Sequence, residues 1–249
     1  MEIVETAEVW DFEQEDGTFS HTAVIGKVED IFYYGKVPFR LQNNRDRNLP
    51  TYMTEVPVDE IYPEFPADFH EFKETAGEIF YKTPRLISYG EQKDRQEFAN
   101  SLLREATVYE ILRRNPHPNI AQYLGCKVSN GKLTSIVLVK YPQTLEQRMK
   151  NSVEPLNKSR YLEGIRQGLA HLHDLGFVYN DLNPFNVMVD DNDTAVIVDL
   201  NSCCPPGEVL VKDGTPGWSD EYTELSCLEN DESAFQKLCH YLYEGYSSV

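Results

Sequence analysis

Three side chains that carry oxygen ligands lie within about twenty residues of one another. Asp181 is followed five residues later by Asn186, and Asp199 stands at the end of the next predicted strand. Carboxylate and amide oxygens are ligands that Mg²⁺ prefers in proteins. A carboxylate beside such a metal can also accept the proton of an attacking hydroxyl, as phosphoryl transfer requires. The spacing therefore predicts Asp181 as a general base and Asn186 and Asp199 as magnesium ligands.

The stretch around these residues resembles the catalytic loop and the metal-binding segment of the eukaryotic protein kinases. It reads Tyr-Asn-Asp-Leu-Asn-Pro-Phe-Asn and then Asp-Leu-Asn, where the family has His-Arg-Asp-x-x-x-x-Asn and Asp-Phe-Gly. His117-Pro-Asn-Ile120 and Gly214-Thr-Pro-Gly-Trp218 resemble two further family segments. The resemblance covers about residues 78 to 242, and the pattern as a whole resembles short, divergent fungal kinase-like proteins.

The resemblance implies roles for residues outside this stretch. Lys82 matches the strand lysine that pairs with nucleotide phosphates, and Glu105 matches the helix glutamate that orients it. The backbone of Val139 to Tyr141 matches the hinge that meets adenine. ATP and Mg²⁺ are the implied cofactors. The predicted catalytic residues are Asp181, Lys82 and Glu105, and the predicted nucleotide-binding residues are Lys82, Val139, Tyr141, Asn186 and Asp199.

The hydrophobic pattern predicts the elements that would position these residues. Apolar residues at helical spacing predict helices over Arg95–Arg114 and Asn157–Leu175, and Asn130-Gly131 predicts a tight hairpin. The predicted strands are Thr22–Lys27, Asp30–Tyr34, Glu78–Lys82, Ala121–Val128, Leu133–Lys140, Asn186–Asp190 and Thr194–Leu200. Strands dominate the first half and helices the second, which predicts an α+β protein.

Taken with the resemblance, this order implies a bilobal fold. We expect a β-rich N-lobe over residues 1–141, with an N-terminal β extension, and a mainly helical C-lobe over residues 142–249. The resemblance also places a buried aspartate, Asp231, on the helix that follows the activation segment. Because Val249 comes soon after that helix, we expect a truncated C-lobe.

The sequence departs from the family pattern at three places. The stretch Thr54–Gly77 holds one glycine instead of a glycine-rich phosphate loop. Tyr179-Asn180 replaces His-Arg, so an arginine that could receive a phosphate is absent, and phosphorylation of Thr215 or Ser202 is not expected to activate the protein. Asn183 stands where protein kinases usually have a lysine that steadies the γ-phosphate.

These departures leave three functional hypotheses. The first is an ATP- and Mg²⁺-dependent phosphotransferase, whose acceptor is a small hydroxylated molecule rather than a protein. The second is a pseudokinase that binds or scaffolds a partner. The third is a kinase-like scaffold that performs nucleotidyl or acyl transfer. We expect an enzyme of the first kind, since five candidate residues are present in the required order.

The composition limits the classes of partner and the cellular compartment that we expect. The 249 residues carry a formal net charge of −18, which argues against nucleic acid as a partner. No run approaches the roughly twenty apolar residues of a membrane span, so no membrane partner is expected. Five cysteines without a CxxC pair indicate a reducing compartment, and we expect a cytoplasmic protein that binds a nucleotide and an acceptor, either a small molecule or a protein.

Overall fold

Strands are concentrated in the first half of the chain and long helices in the second, so the protein is α+β. The computed structural model describes residues 1–12, 17–41, 49–74, 77–151, 156–211, 214–219 and 224–245. The strands within these residues are β1 Glu2–Asp11, β2 Thr18–Val28, β3 Ile31–Val37, β4 Met53–Glu55, β5 Ile79–Lys82, β6 Tyr123–Ser129, β7 Lys132–Val139, β8 Gln143–Thr144, β9 Val187–Val189 and β10 Ala195–Ile197. The helices are α1 Val58–Ile61, α2 Glu97–Arg114, α3 Leu145–Asn151, α4 Lys158–Asp174 and α5 Leu228–Glu244, with a short 3₁₀ helix at Leu49–Tyr52.

The chain forms two compact units that are interleaved in sequence. One comprises Met1–Ala67, Thr83–Leu103 and Val128–Ser135. The other, called the second unit below, comprises Asp68–Lys82, Arg104–Lys127 and Ile136–Val249. The predicted boundary at residue 141 stays a prediction.

The first unit is built on an antiparallel sheet in the order β1-β2-β3-β4. Neighbouring residues of β2 point to opposite faces of this sheet, because side chains alternate along a strand. Val24 packs in one apolar cluster with Val37 and Leu49. Ile25 packs in another cluster, whose other buried members are Val56, Ile61, Leu86 and Tyr89. Both faces of β2 are therefore covered.

In the second unit, α4 carries an apolar stripe. Its buried side chains include Tyr161, Ile165, Leu169 and Leu172, and Asn157 caps its first turn by accepting a hydrogen bond from the Arg160 amide. The predicted helix Asn157–Leu175 is thus confirmed to within one residue at each end. The stripe packs the helix against β10.

The strand prediction fails at several places and succeeds at the tight turn. The predicted strand Thr194–Leu200 ends earlier, at Ile197, because Asp199 adopts a left-handed backbone with φ of +58°. Strands β1, β4 and β8 were not predicted; the acidic residues of β1 recur at every third position, 2, 5, 8 and 11, which obscures the two-residue alternation of a strand. Asn130 and Gly131 both have positive φ, 50° and 77°, as a two-residue hairpin turn of this type requires.

All five cysteines are free. Within the described part of the chain, no helix is both long and apolar enough to cross a membrane.

Candidate functional site

Lys82 forms ion pairs with two carboxylates at once. Its Nζ lies 2.6 Å from Glu105 Oε1 and 2.6 Å from Asp199 Oδ1. Lys82 is the last residue of β5, Glu105 lies in the middle of α2, and Asp199 follows β10 by two residues. The Glu105 side chain is 3% exposed and that of Lys82 is 19% exposed. The structure therefore brings together three of the predicted site residues, all within the second unit.

Burial and charge act in opposite directions on this cluster. Burial alone would lower the pKa of the Lys82 ammonium, but the adjacent carboxylates of Glu105 and Asp199 outweigh it and raise that pKa above its usual value. Burial raises the pKa of the Glu105 carboxyl, and the charge of Lys82 opposes this change. The Leu200 backbone N–H also donates to Glu105 Oε1, at 2.9 Å. The lysine is thus held as a fixed cation between two carboxylates.

The Asp181 carboxylate accepts hydrogen bonds from three side chains and one backbone amide. Asn186 Nδ2 donates to Oδ2 at 2.8 Å. The hydroxyl and the backbone N–H of Thr215 donate to Oδ1 at 2.7 and 3.1 Å, and Asn183 Nδ2 lies 3.2 Å from the same atom. These donors hold the candidate base in one orientation.

The β9–β10 hairpin places Asn186 and Asp199 at the same end of a strand pair. Asn186 precedes β9 and Asp199 follows β10, and Val187 is opposite Ile197 in the antiparallel register. The Val198 backbone N–H donates to the Asn186 carbonyl at 3.0 Å, which fixes the two ends together. The Asn186 Nδ2 atom is directed at Asp181, so its amide oxygen remains available for a cation.

Helix α5 supports the backbone that precedes Asp181. Asp231 is 1% exposed, and its carboxylate accepts the backbone N–H groups of Tyr179 at 2.9 Å and Asn180 at 2.8 Å. His173 Nε2 lies 2.7 Å from the same carboxylate. The Tyr179 hydroxyl donates to the Val198 carbonyl at 2.6 Å. Asp231 is therefore buried, as the resemblance implies, and it holds the backbone that leads to Asp181.

Val139 and Tyr141 lie at the end of β7 and just beyond it. They line a cavity of about 690 Å³ in the second unit, together with His117 and Asp190. Among the described residues that line this cavity, none belongs to the Lys82 or the Asp181 cluster. Val139 is connected to the strand that carries Lys82, because it is opposite Ile79 of β5 in the antiparallel sheet.

Two contacts at the site could not be predicted from the sequence. Thr215 reaches Asp181 across 34 residues of chain, and His173 reaches Asp231 across 58. Neither residue stands in a local pattern that indicates its partner. For Thr215 the sequence predicts a place in a family segment, residues 214–218, and no activation by phosphorylation, but not a contact with Asp181.

Comparison with known proteins points to one family. The family model described as Protein kinase domain matches residues 75–216, more than half of the chain. A mitogen-activated protein kinase kinase kinase of Pyricularia oryzae is 35% identical over 110 residues, which is 43% of this chain and 12% of the relative. A MAP kinase kinase kinase of Saccharomyces cerevisiae is 24% identical over 163 residues, 62% of this chain and 9% of the relative.

A human protein is similar over a stretch of comparable length. Receptor-interacting serine/threonine-protein kinase 1 of Homo sapiens is 30% identical over 122 residues, 48% of this chain and 16% of the relative. The matched part of this chain thus spans between 9% and 16% of the length of these three relatives.

Proposed function

This chain belongs to the protein kinase family, and we propose that it transfers the γ-phosphoryl group of ATP to a hydroxyl acceptor. The observation that carries the proposal is the double ion pair of Lys82 with Glu105 and Asp199. The hydrogen-bonded pair of Asp181 and Asn186 supplies the remaining groups that this chemistry needs. Protein kinases in general use ATP and a divalent metal ion.

The oxygen atoms that remain available in this cluster fit a magnesium ion. Asp199 uses Oδ1 to contact Lys82, which leaves Oδ2, and Asn186 uses Nδ2 to contact Asp181, which leaves its amide oxygen. Mg²⁺ commonly takes one or two protein oxygens and completes its coordination with water and phosphate. When bound, Mg²⁺ would neutralise charge on the β- and γ-phosphate oxygens.

Residues of the chain have separate roles in the proposed phosphoryl transfer. Lys82 presents its ammonium group to the phosphates, and Glu105 keeps that group in place. Asp181 receives the proton of the attacking hydroxyl, while the new O–P bond forms and the bond from the γ-phosphorus to ADP breaks. The fixed orientation of its carboxylate, set by Thr215 and Asn186, favours this transfer.

Backbone groups after β7 are assigned to adenine. Within residues 139–142, Pro142 has no N–H group. The Val139 N–H donates to Gln122 and the Lys140 N–H donates to Glu78, both at 3.0 Å. We therefore assign the Tyr141 N–H as the donor to the base.

The acceptor is proposed to be a serine or threonine hydroxyl of a protein. The similar proteins named above are protein kinases, one of them a serine/threonine kinase. Residues 214–219, which reach Asp181 through Thr215, are also fixed to α5, because Lys237 Nζ donates to the Trp218 and Ser219 carbonyls. A small hydroxylated molecule is the second candidate, favoured by Asn183 in place of a lysine.

Calorimetric titration with ATP tests the nucleotide site. We expect binding that requires Mg²⁺ and is lost in Lys82→Ala and in Asp199→Ala. Lys132→Ala is a matched control, because Lys132 also pairs with two carboxylates, Asp59 at 2.6 Å and Glu64 at 2.7 Å, outside the site. Binding should survive that change. Absence of binding at millimolar ATP would instead favour a pseudokinase or a different chemistry.

Phosphoryl transfer itself is tested with labelled ATP. Asp181→Asn should lower kcat by about 10³-fold or more and leave the Kd for ATP almost unchanged, because the base acts in the transition state. Protein and small hydroxylated acceptors should be offered separately. Mass spectrometry of the product distinguishes a transferred phosphoryl group from a nucleotidyl or acyl group.

The expected cytoplasmic location stays a prediction.

A further inference from the structure

Asn180, the residue before the candidate base, has an unusual backbone and a buried side chain. Its φ is +65°, a left-handed conformation that asparagine tolerates better than most residues. It is 8% exposed, and its backbone N–H is held by Asp231. Neither the nucleotide nor the acceptor role proposed above uses the Asn180 side chain.

That side chain joins three separate segments of the second unit. Asn180 Nδ2 lies 3.0 Å from the Val178 carbonyl, 3.1 Å from the Ser202 carbonyl and 3.0 Å from Ser226 Oγ. Its Oδ1 accepts a hydrogen bond from Asn230 Nδ2 at 2.9 Å. One buried amide thus connects the catalytic loop with residues 202–204 and with residues 226–230.

These two segments are the ends of the stretch that carries Thr215. At one end, the backbones of Val178 and Cys204 exchange hydrogen bonds of 2.9 and 3.1 Å. At the other end, the Gly207 N–H donates to the Ser226 carbonyl at 2.8 Å. Between them, Thr215 donates to Asp181. The stretch 202–226, where described, is therefore fixed at both ends by Asn180 and in the middle by Asp181.

The side chains in this junction are neutral. The Asn180 side chain bonds to the Ser202 carbonyl and to the side chains of Ser226 and Asn230, none of which carries a formal charge, and only its backbone N–H is held by a carboxylate, that of Asp231. A junction of this kind holds its geometry without an added anion. An arginine at the same position would, in contrast, present a buried cation that needs one.

We propose that Asn180 is a positioning residue that orders residues 202–211 and 214–219 against Asp181, so that the activity does not depend on phosphorylation of these residues. The proposal rests on the function proposed above and concerns the regulation of the same site. Hydrogen bonds to neutral groups, which are present without phosphorylation, hold the stretch in place.

Hydrogen exchange tests this without any assay of activity. Asn180→Gly removes the side chain and keeps the left-handed backbone accessible. We expect amide exchange in residues 203–219 to accelerate about tenfold or more, with unchanged exchange in β6. Asn130→Gly is the matched control, since Asn130 also has positive φ, +50°, but is exposed in a turn. Unchanged exchange in residues 203–219 of Asn180→Gly would overturn the proposal, whether or not the protein is a kinase.

A second variant covers the case in which Asn180→Gly does not fold. Asn230→Ala removes the bond to Asn180 Oδ1, a bond to the Leu225 carbonyl and the Oδ1 acceptor of the Cys227 thiol. It should accelerate exchange in the same residues by about threefold, since fewer bonds are lost. Uniform acceleration throughout the second unit in both variants would count against a positioning role, because it would show a general loss of stability.

Kinetics test the regulatory part. Protein that mass spectrometry shows to be free of phosphate should be as active as any phosphorylated form, and phosphatase treatment should leave kcat unchanged. In Asn180→Gly, kcat should fall about tenfold or more while the Kd for ATP stays within about twofold, because Lys82 and Asp199 do not contact Asn180. Activity that appears only after phosphorylation in residues 202–226 would refute the proposal. Failure of ATP to bind would instead refute the proposed function and leave the exchange experiment valid.

Discussion

Lys82 is a single cation shared by Glu105 and Asp199, so its removal changes the chemistry of both carboxylates. Without it, the buried Glu105 keeps the Leu200 N–H as a donor but loses its counter-ion. Burial then raises the pKa of Glu105 further above its usual value, because the Leu200 N–H offsets a part of the cost of burying the charge and Lys82 no longer contributes. The ion pair therefore matters for stability as well as for nucleotide binding.

We expect Lys82→Ala to be less stable than the wild type by about 3 kcal/mol at pH 7. A group whose pKa is raised on folding favours the folded state below its unfolded pKa, and this contribution is lost as pH rises through the folded pKa. The deficit of Lys82→Ala should therefore shrink as the pH falls toward the ordinary glutamate pKa of 4.5. Urea unfolding at several pH values measures this change.

Lys132→Ala provides the comparison for that experiment. The two carboxylates that pair with Lys132 are each 78% exposed, so its loss leaves no buried charge. It should cost much less stability than Lys82→Ala and show little dependence on pH between 4.5 and 7. Equal pH dependence in both variants would mean that burial of Glu105 is not the cause.

At the scale of elements, Glu110 ties α2 to two neighbouring segments. Its carboxylate accepts the His70 backbone N–H at 2.6 Å, the Tyr123 hydroxyl at 2.8 Å and Arg113 Nε at 2.9 Å. Burial alone would raise the pKa of Glu110, but these donors outweigh it and hold that pKa below its usual value. The charged form of Glu110 therefore stabilises this part of the second unit.

We expect Glu110→Gln to lower the free energy of unfolding by about 1–2 kcal/mol at pH 7. Because the folded pKa is depressed, the stabilisation is present above the ordinary value of 4.5 and is lost as pH falls through the folded pKa. The difference from the wild type should vanish in acid. Chemical unfolding at pH 7 and in acid, with the exposed Glu229→Gln as control, would detect it. A difference that persists in acid would contradict this assignment.

Helix α4 approaches Asn119 closely because it has glycines at two buried positions. A Cβ at Gly168 would lie 3.0 Å from the Asn119 carbonyl oxygen, and one at Gly164 would lie 2.5 Å from Asn119 Nδ2. Asn119 Nδ2 donates a hydrogen bond to the Ala195 carbonyl at 2.7 Å, so the Asn119 side chain connects the segment between α2 and β6 to β10. Close approach of α4 thus keeps the β9–β10 hairpin in position.

Gly164→Ala should destabilise the protein, although alanine favours a helix by about 1 kcal/mol over glycine. The new methyl group displaces Asn119 and leaves the Ala195 carbonyl without its donor, at a cost of about 1–3 kcal/mol. Thermal unfolding should show a lower Tm. A Tm above that of the wild type would mean that the helix preference outweighs the contact.

For the whole molecule, the dominant property is its net charge of −18. Like charges at this density repel one another in the folded state, and salt screens that repulsion. Raising ionic strength from about 0.01 M to about 0.15 M shortens the screening length from about 30 Å to about 8 Å. We therefore expect Tm to rise by several degrees over this range. The rise of Tm with salt should disappear near the isoelectric point of about 4.7. A Tm that falls with salt at pH 7 would contradict this expectation.

The sequence by itself determined the local features of this protein. Apolar spacing was enough to place α2 and α4, and Asn130-Gly131 was enough to place a tight turn, because each depends on contacts between residues near in sequence. The order of Lys82, Glu105, Asp181, Asn186 and Asp199 was enough to indicate the family that the comparison establishes. Strand β1, with its weak pattern, was beyond such reasoning.

Only the tertiary structure decided which of these residues meet. Lys82 contacts Asp199 across 117 residues of chain, and Thr215 contacts Asp181 across 34. Contacts of this kind depend on how sheets and helices pack, and no local pattern specifies that packing. The role of Asn180 shows the same limit, since its type suggested a missing arginine, whereas its surroundings show a complete set of neutral hydrogen bonds.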